Sequence, residues 1–453
     1  MNPRINLFIL LSGLFLSCSG QMQSQILRVS ENGRYLVRED GQPFFYLGDT
    51  GWDLFKSLDR EETVLYLTNR AEKGFSVIQA VITFGELNTP NAYGETPFIK
   101  GDPVHPNEAY FRHVDFVVNK AQELGLFIGM LPTWGNYWSD PDPIFTPENA
   151  KIYGEFLGER YTGKPIIWIL GGDENIRNQS QHEIIEAIAI GLKKGDRGEH
   201  LITYHPRGPG LSSDYLHEET WLDFNMYQSS HAAHDHDNGL FAEHDYTLTP
   251  AKPTLDGEPR YENINAGFYF NGFNRLDIFD DYDCRQAAYW SLLAGACGHT
   301  YGHNSIFQFW DEGKEPYFGA AVPWEKAMDH PGAFQMGILK DLFTSFPWQK
   351  LVPAQNIILG GPREGGAKIR AALASDGSFA FIYSPRGEQF TIDKNCLKAE
   401  IVSESWFDPR YGITYRIHAS HTKGIQTYTP PTSGRGNDWL LILQDVKMEG
   451  DRK

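Results

Sequence analysis

The chain has 453 residues, 41% apolar and 22% charged, which suffices to bury a large core in two or three domains and excludes a disordered chain. Its 58 acidic against 40 basic residues, a formal charge of −18, repel phosphate backbones and exclude generic nucleic-acid binding. Aromatic residues reach 14%, with 11 Trp and 22 Tyr, a composition suited to a concave site with flat platforms.

The N-terminus leads from Arg4 into Leu7–Leu11 and then Leu14-Phe15-Leu16-Ser17-Cys18-Ser19-Gly20. This apolar run is too short to span a bilayer but suits an export signal over residues 1–20. A small residue before Cys18, in a chain that then turns polar, is similar to a bacterial lipoprotein cleavage site. The expectation is export to the periplasm or outer membrane of a Gram-negative bacterium, with a lipid attached at Cys18. Cys284, Cys297 and Cys396 form no CxxC or Cys/His zinc spacing and read as ordinary thiols.

Residues 26–42 predict a short edge hairpin turning at Gly33 and Asp40-Gly41. Strand-like apolar runs then alternate with amphipathic stretches. The runs are Pro43–Leu47, Phe75–Thr83, Leu126–Leu131, Pro165–Leu170, Leu201–His205, Phe224–Tyr227, Pro253–Asp256 and His299–His303. The helical stretches are Arg60–Lys73, Glu108–Leu124, Glu148–Tyr161, His182–Lys194, Arg285–Cys297 and Ala333–Phe343. Eight strands, most followed by a helix, over about 300 residues predict an α/β fold, a (β/α)8 TIM barrel spanning residues 26–347. No GxGxxG follows the first strand, so no dinucleotide or other cofactor is expected. After Pro347 helical periodicity gives way to short alternating runs separated by Gly, Pro, Asp and Ser. These predict a C-terminal antiparallel β-sandwich over residues 355–446, expected to support the barrel by packing.

Function in such a barrel sits where strands end. Those positions hold Asp49 and Trp52 after strand one, Glu86 after two, and Trp134, Asn136 and Trp138 after three. Asp173 and Glu174 follow strand four, His205 and Arg207 strand five, and Tyr227 strand six. Glu258 and Arg260 follow strand seven, and His303 and Asn304 strand eight, with Trp310 beyond. Carboxylates, amides, imidazoles and indoles together suit sugar hydroxyls and sugar faces, so an oligo- or polysaccharide is the expected partner.

Asp173 and Glu258 stand on opposite rims, where glycosidic cleavage needs one acid for the leaving oxygen and one for the anomeric carbon. Glu174 is the alternative at strand four, and Asp256 and Glu262 are the alternatives at strand seven. Tyr227 is placed to hydrogen-bond Glu258 and hold its carboxyl down, while Arg207 and Arg260 are the cations available to an acidic sugar. The loop after strand six interleaves His231, His234, His236 and His244 with Asp235, Asp237 and Glu243. Its spacing fits no regular two-histidine site, so a solvated rim is expected and no metal. Two alternatives stand beside a glycosidase: a carbohydrate-binding protein on an inactive barrel, and a metal-dependent hydrolase centred on that loop.

Gly48-Asp49-Thr50-Gly51-Trp52, Gly171-Gly172-Asp173, Gly257-Glu258-Pro259-Arg260-Tyr261-Glu262 and Tyr301-Gly302-His303-Asn304-Ser305, in that order, resemble glycoside hydrolase family 140. Trp406-Phe407-Asp408-Pro409-Arg410-Tyr411-Gly412 is similar to the β-domain that usually follows, which carries a collagen-binding label. The resemblance implies a retaining barrel of the clan A type and an endo-apiosidase acting on side chains of the pectin rhamnogalacturonan II. It also implies Asp173 as acid/base and Glu258 as nucleophile.

Overall fold

The computed structural model describes residues 26–421 and 424–447; the expected export segment, residues 1–20 with Cys18, lies outside them. Leu27–Val29, Leu36–Arg38 and Pro43–Phe44 form a three-stranded antiparallel sheet. Pro43 pairs back on Val37 rather than opening the barrel, so the first barrel strand begins at Tyr46 and runs on to Thr50.

The eight parallel strands are β1 (Tyr46–Thr50), β2 (Val77–Val81), β3 (Phe127–Leu131), β4 (Ile166–Gly171), β5 (Ile202–His205), β6 (Asn225–Gln228), β7 (Thr254–Asp256) and β8 (Gly298–Tyr301). Bonded neighbours run β5-β4-β3-β2-β1-β8-β7-β6. The remaining seam, between β5 and β6, is closed by the Asp223 N–H to the Ile202 carbonyl at 2.8 Å and the Thr203 hydroxyl to the Phe224 carbonyl at 2.7 Å. Both faces of these strands are covered, which is why they read as unbroken apolar runs. In β4, Ile167 and Ile169 join one core cluster, while Ile166, Trp168 and Leu170 join another toward the helices.

The main helices are α1 (Arg60–Glu72), α2 (Glu108–Glu123), α3 (Pro147–Tyr161), α4 (Gln179–Gly195), α5 (Gly239–Tyr246), α6 (Asp281–Leu293) and α7 (Pro331–Thr344). Capping boxes open α1 (Asp59 with Glu62), α3 (Thr146 with Asn149) and α6 (Asp280 with Asp283), which fixes where these helices begin. Between β5 and β6 only a short turn at Ser213–Leu216 is helical. The short α5, which the periodicity did not predict, follows β6. Among the described residues no helix is long and apolar enough to cross a membrane. Cys284, Cys297 and Cys396 are free thiols.

The C-terminal strands are β9 (Leu351–Pro353), β10 (Ile358–Gly360), β11 (Arg370–Ala374), β12 (Phe379–Ser384), β13 (Phe390–Asp393), β14 (Ile401–Asp408), β15 (Ile413–His421), β16 (Ile425–Tyr428) and β17 (Trp439–Asp445). They form an antiparallel six-stranded sheet, β9-β11-β12-β17-β14-β15, and a three-stranded sheet, β10-β13-β16. The large sheet is apolar on both faces with a period of two. Ala380, Ile382, Leu441 and Leu443 pack in a core with the small sheet, whereas Phe379, Phe381, Tyr383, Leu440 and Ile442 share a core with α6 and α7. Tyr289 stacks on Tyr383 with centroids 4.7 Å apart, and Phe343 meets Phe381 edge-on at 5.5 Å. The β-domain thus continues the barrel's own packing.

Candidate active site

The chain leaves β4 through three consecutive residues with positive φ: Gly171 at 89°, Gly172 at 86° and Asp173 at 59°. A Cβ on Gly171 would stand 2.4 Å from the His205 carbonyl oxygen, and one on Gly172 would stand 3.0 Å from that of Thr133. Glycine therefore supplies both room and conformation there. At Asp173 the left-handed backbone is strained, and neighbouring groups hold it. Trp138 Nε1 donates to the Gly171 carbonyl at 2.7 Å, the Gly135 N–H to that of Gly172 at 2.8 Å, and the Tyr204 hydroxyl to that of Glu174 at 2.5 Å. The turn brings Asp173 to the wall of a cavity in the barrel mouth. Glu174 is left outside, where it binds Arg177 at 2.6 Å and Arg207 at 3.1 Å.

Glu258, just past β7, lines the same cavity between two imidazoles. His231 Nε2 hydrogen-bonds Oε1 at 3.1 Å. His205 Nε2 lies 3.1 Å from Oε2, at ion-pair distance but off the hydrogen-bond line. The Asp173 N–H donates to His205 Nδ1 at 3.3 Å, which leaves Nε2 to carry a ring proton toward Glu258. One imidazole thereby links the two strand ends.

The two acids respond differently to burial, which opposes ionisation of both. At Glu258 the two adjacent imidazoles, His205 and His231, outweigh that penalty and hold the carboxyl down to about 2. At Asp173 burial, reinforced by the negative charge of Glu258, pushes the carboxyl up to about 7 against the opposing charges of His205 and Arg207. At about pH 5 one is a carboxylic acid and the other a carboxylate, the division of labour that acid-assisted displacement requires.

The cavity has a volume of about 540 Å³, within the range of small-molecule sites. Trp52 and Trp134 form one wall, tilted together at 5.5 Å. Phe268, Tyr269, Tyr317 and Phe318 line it from the long loops. Rings continue outward without a break, from Phe318 to Phe268 at 4.0 Å, Phe268 to Tyr269 at 5.0 Å and Tyr269 to Phe270 at 4.7 Å. Phe270 is 56% exposed.

Among the other residues singled out at strand ends, Trp52, Trp134 and Arg207 line this cavity, and His205 touches Glu258. The remainder lie elsewhere, for identifiable reasons. Asp49 is inside the strand ladder because β1 starts and ends later than its apolar run; it is buried against α1, with Arg70 Nε at 2.7 Å and the Tyr66 hydroxyl at 2.6 Å. Tyr227 takes the outward alternation of β6, stacks on Phe241 at 5.5 Å and makes no bond to Glu258; its neighbour Gln228 faces the cavity. Arg260 turns away to Gln286 at 3.1 Å and to the Trp290 ring, leaving Arg207 as the cation on the cavity wall. His303 is buried on His330 at 3.0 Å. Asn304 donates to the Phe318 carbonyl at 3.0 Å, supporting the rim from behind. Glu86 and Asn136 are exposed outside the lining, and the Trp310 indole N–H is taken by the Lys314 carbonyl at 2.8 Å. Trp138 and His299 are core residues.

The alternative strand-seven acids are also engaged. Asp256 accepts from the Ser229 hydroxyl at 2.6 Å and Asn238 at 3.0 Å; Glu262 accepts from the Tyr301 hydroxyl at 2.5 Å and the Gly332 N–H at 3.1 Å. The histidine-rich loop spreads its rings apart. His231 goes to Glu258, His234 bridges Asp277 at 2.8 Å and Asp283 at 2.9 Å, His236 packs near Phe241, and His244 sits beside Asp245. Among the described residues no three His, Cys, Asp or Glu side chains are grouped to hold a metal. Sequence reasoning missed His231, Gln228, Tyr261 and the loop aromatics as site residues. Position was the available signal: Gln228 ends β6, His231 follows it much as Asp173 follows β4, and Tyr261 comes just after Glu258.

A (β/α)8 barrel with two acids of opposite protonation in one aromatic cavity defines a glycoside hydrolase of the clan A type. Residues 30–350 match the family model described as "Apiosidase-like, catalytic domain", and the chain belongs to that family. Residues 352–444 match "Putative collagen-binding domain of a collagenase". A solved structure named "Glycoside hydrolase" is 35% identical, with 93% of this chain and 97% of that chain covered and a TM-score of 0.86. A glycoside hydrolase family 5 protein from Bacteroides vulgatus is 32% identical, with 93% and 94% covered and a TM-score of 0.86. A family 5 mannosidase from Rhizomucor miehei shares the fold at 13% identity and a TM-score of 0.51, covering 72% of this chain and 99% of its own. No curated protein matches the chain.

Proposed function

We propose that this chain is an exported endo-apiosidase that cleaves an apiosyl linkage in a side chain of rhamnogalacturonan II, with retention. The observation that carries the mechanism is the pair of acids in one cavity, Glu258 held anionic by two imidazoles and Asp173 held protonated. In this reading Asp173 gives its proton to the leaving oxygen while Glu258 attacks the anomeric carbon, forming a glycosyl ester. Asp173, now ionised, takes a proton from the incoming water as that water cleaves the ester. His231 and His205 keep Glu258 ionised and oriented between turnovers.

Membership of an apiosidase-like family supports the sugar. The aromatic strip leading out to Phe270 supports a substrate longer than one residue, since stacked rings offer successive sugar faces. Arg207, on the cavity wall, supports an acidic neighbour such as galacturonate in a chain whose net charge would otherwise repel it. Export, with a lipid on Cys18 at the periplasmic or outer-membrane surface of a Gram-negative bacterium, rests on the N-terminal sequence alone.

Digestion of defined rhamnogalacturonan II fragments tests the substrate, the expected product being an oligosaccharide ending in apiose. Activity on another glycan with none on these fragments would overturn the apiosyl reading. Retention is tested by NMR of the first-formed anomer. For the anchor, Cys18→Ser should release the protein from membranes; a wild-type chain found wholly soluble after export would overturn it.

A further inference from the structure

The loop between β6 and α5 carries His231 to Glu258 and is gripped from two sides. The barrel holds its ends: Ser229 and Asn238 both donate to Asp256, at 2.6 and 3.0 Å, and the Gly267 N–H donates to the His231 carbonyl at 2.7 Å. The middle is met by cations of the C-terminal β-domain. Arg370 Nη2 reaches Asp237 Oδ1 at 2.6 Å, Lys368 Nζ reaches Asp237 Oδ2 at 2.6 Å, and Arg386 Nη2 reaches Asp235 Oδ1 at 2.9 Å. Between them His234 bonds Asp283, which also takes Arg435 Nη2 at 2.7 Å.

These contacts are built into the interface. The Arg370 side chain is 1% exposed and that of Asp237 12%. Two glycines face the pairs and supply room: a Cβ on Gly239 would stand 2.4 Å from Arg370 Cζ, and one on Gly366 would stand 1.7 Å from Asp235 Oδ1. Adhesion between the domains is already supplied by the apolar seam of Tyr289, Phe343, Phe346, Phe379 and Phe381. Buried ion pairs add little net stability to such a seam, but they select one geometry, because removing either partner strands a charge.

We propose that the β-domain serves the reaction as a brace, with Arg370, Lys368 and Arg386 fixing the loop so that the His231 imidazole stays on the Glu258 carboxylate. This rests on Glu258 being the nucleophile. The three cations are positioning residues and touch no substrate. The titratable groups that face Glu258 are His205, His231, Tyr261, Tyr269 and Asp173; the brace acts through His231.

The test is steady-state kinetics of full-length variants on whichever glycan the wild type hydrolyses, with pH profiles. Arg370→Met and Asp237→Asn should each lower kcat/KM about tenfold or more, since small misplacements of an active-site group cost that much. Their acidic limb should move to higher pH as Glu258 loses its partner, and Arg370→Lys should restore most of both. In a His231→Asn background, Arg370→Met should cost less than about twofold further, because the two changes act through one contact. Equal losses in both backgrounds, or a lowered melting temperature with unchanged kinetics and pH profile, would overturn the brace. Should Arg370→Met fail to fold, Arg386→Gln breaks a more exposed pair. It should move kcat/KM and the acidic limb the same way by about two- to threefold, and wild-type behaviour there would likewise overturn it. A wrong nucleophile assignment is distinguishable, because Glu258→Gln would then retain turnover.

Discussion

Two strands of the barrel lead to buried carboxylates that look alike in sequence yet have opposite surroundings. Within β1, Asp49 meets the permanent guanidinium of Arg70 and the hydroxyl of Tyr66 and does not line the active-site cavity. At the β7 end, Glu258 meets two imidazoles and opens onto about 540 Å³ of space shared with Asp173. A fixed cation and close packing make a carboxylate a structural anchor. Imidazole partners and room for a ligand suit it to the reagent's role proposed above.

The sharpest way to break this contrast is to neutralise both. Glu258→Gln should cut kcat by about four orders of magnitude or more with the melting curve nearly unchanged. Asp49→Asn should do the reverse, costing about 3–5 kcal/mol because Arg70 is left buried and unpaired, with kcat of the folded fraction close to wild type. Paired urea melts and kinetics decide it, and a swap of the two phenotypes would refute the distinction.

Next in size, Asp173→Asn should lower kcat by about 10²–10⁴-fold on substrates with poor leaving groups, the usual worth of a general acid. The same variant should be more stable than the wild type. An acid whose folded pKa is raised binds its proton more tightly when folded, so its ionisation weakens the fold as pH rises from its unfolded value to its folded one. The gain from Asn should therefore be absent below about pH 4 and grow until about pH 7, as thermal melts across pH would report. A loss of stability at pH 8 would argue that the left-handed turn, rather than the proton, needs Asp there.

The pH profile of the wild type sharpens the contrast without mutation. The proposed mechanism needs Glu258 ionised and Asp173 protonated, so kcat/KM should fall as pH drops toward about 2 and fall again as it rises through about 7. Rising activity above pH 8 would exclude Asp173 as the acid. Smallest of all, Phe270→Ala should raise KM about two- to fivefold for long oligosaccharides, by loss of one stacking face, and leave short substrates untouched. Equal effects on both would remove the strip from the substrate's path.

The repeating units, the change of grammar after Pro347 and the two cavity acids could be read from residue order, because both-face burial writes a strand as a continuous apolar run. Side-chain direction could not. Asp49 belongs to a strand displaced along the chain by the pairing of Pro43 with the N-terminal sheet, so a residue expected at the mouth lies in the ladder. Tyr227 and Gln228 differ by one step of alternation, and only the second faces the cavity. Arg260 and Asn304 stand beside the right motifs but turn to α6 and to the Phe318 loop. His231 sat among three other histidines, of which His234 goes to Asp277 and Asp283, far along the chain, His236 to the Phe241 ring and His244 to its neighbour Asp245. The loop aromatics carry no period, so nothing local marks which of them reach the site.

The proposed catalysis depends on one proton residing on Asp173 while Glu258 stays ionised. Infrared difference spectroscopy of the resting enzyme, titrated from pH 4 to 9 with ¹³C-labelled carboxyls, measures this directly. The expected result is a protonated-carboxyl signal that declines as pH passes about 7, of which the part not due to Glu262, also held up to about 7 by burial, is missing in Asp173→Asn. A band that survives in Asp173→Asn and vanishes in Glu258→Gln would contradict it.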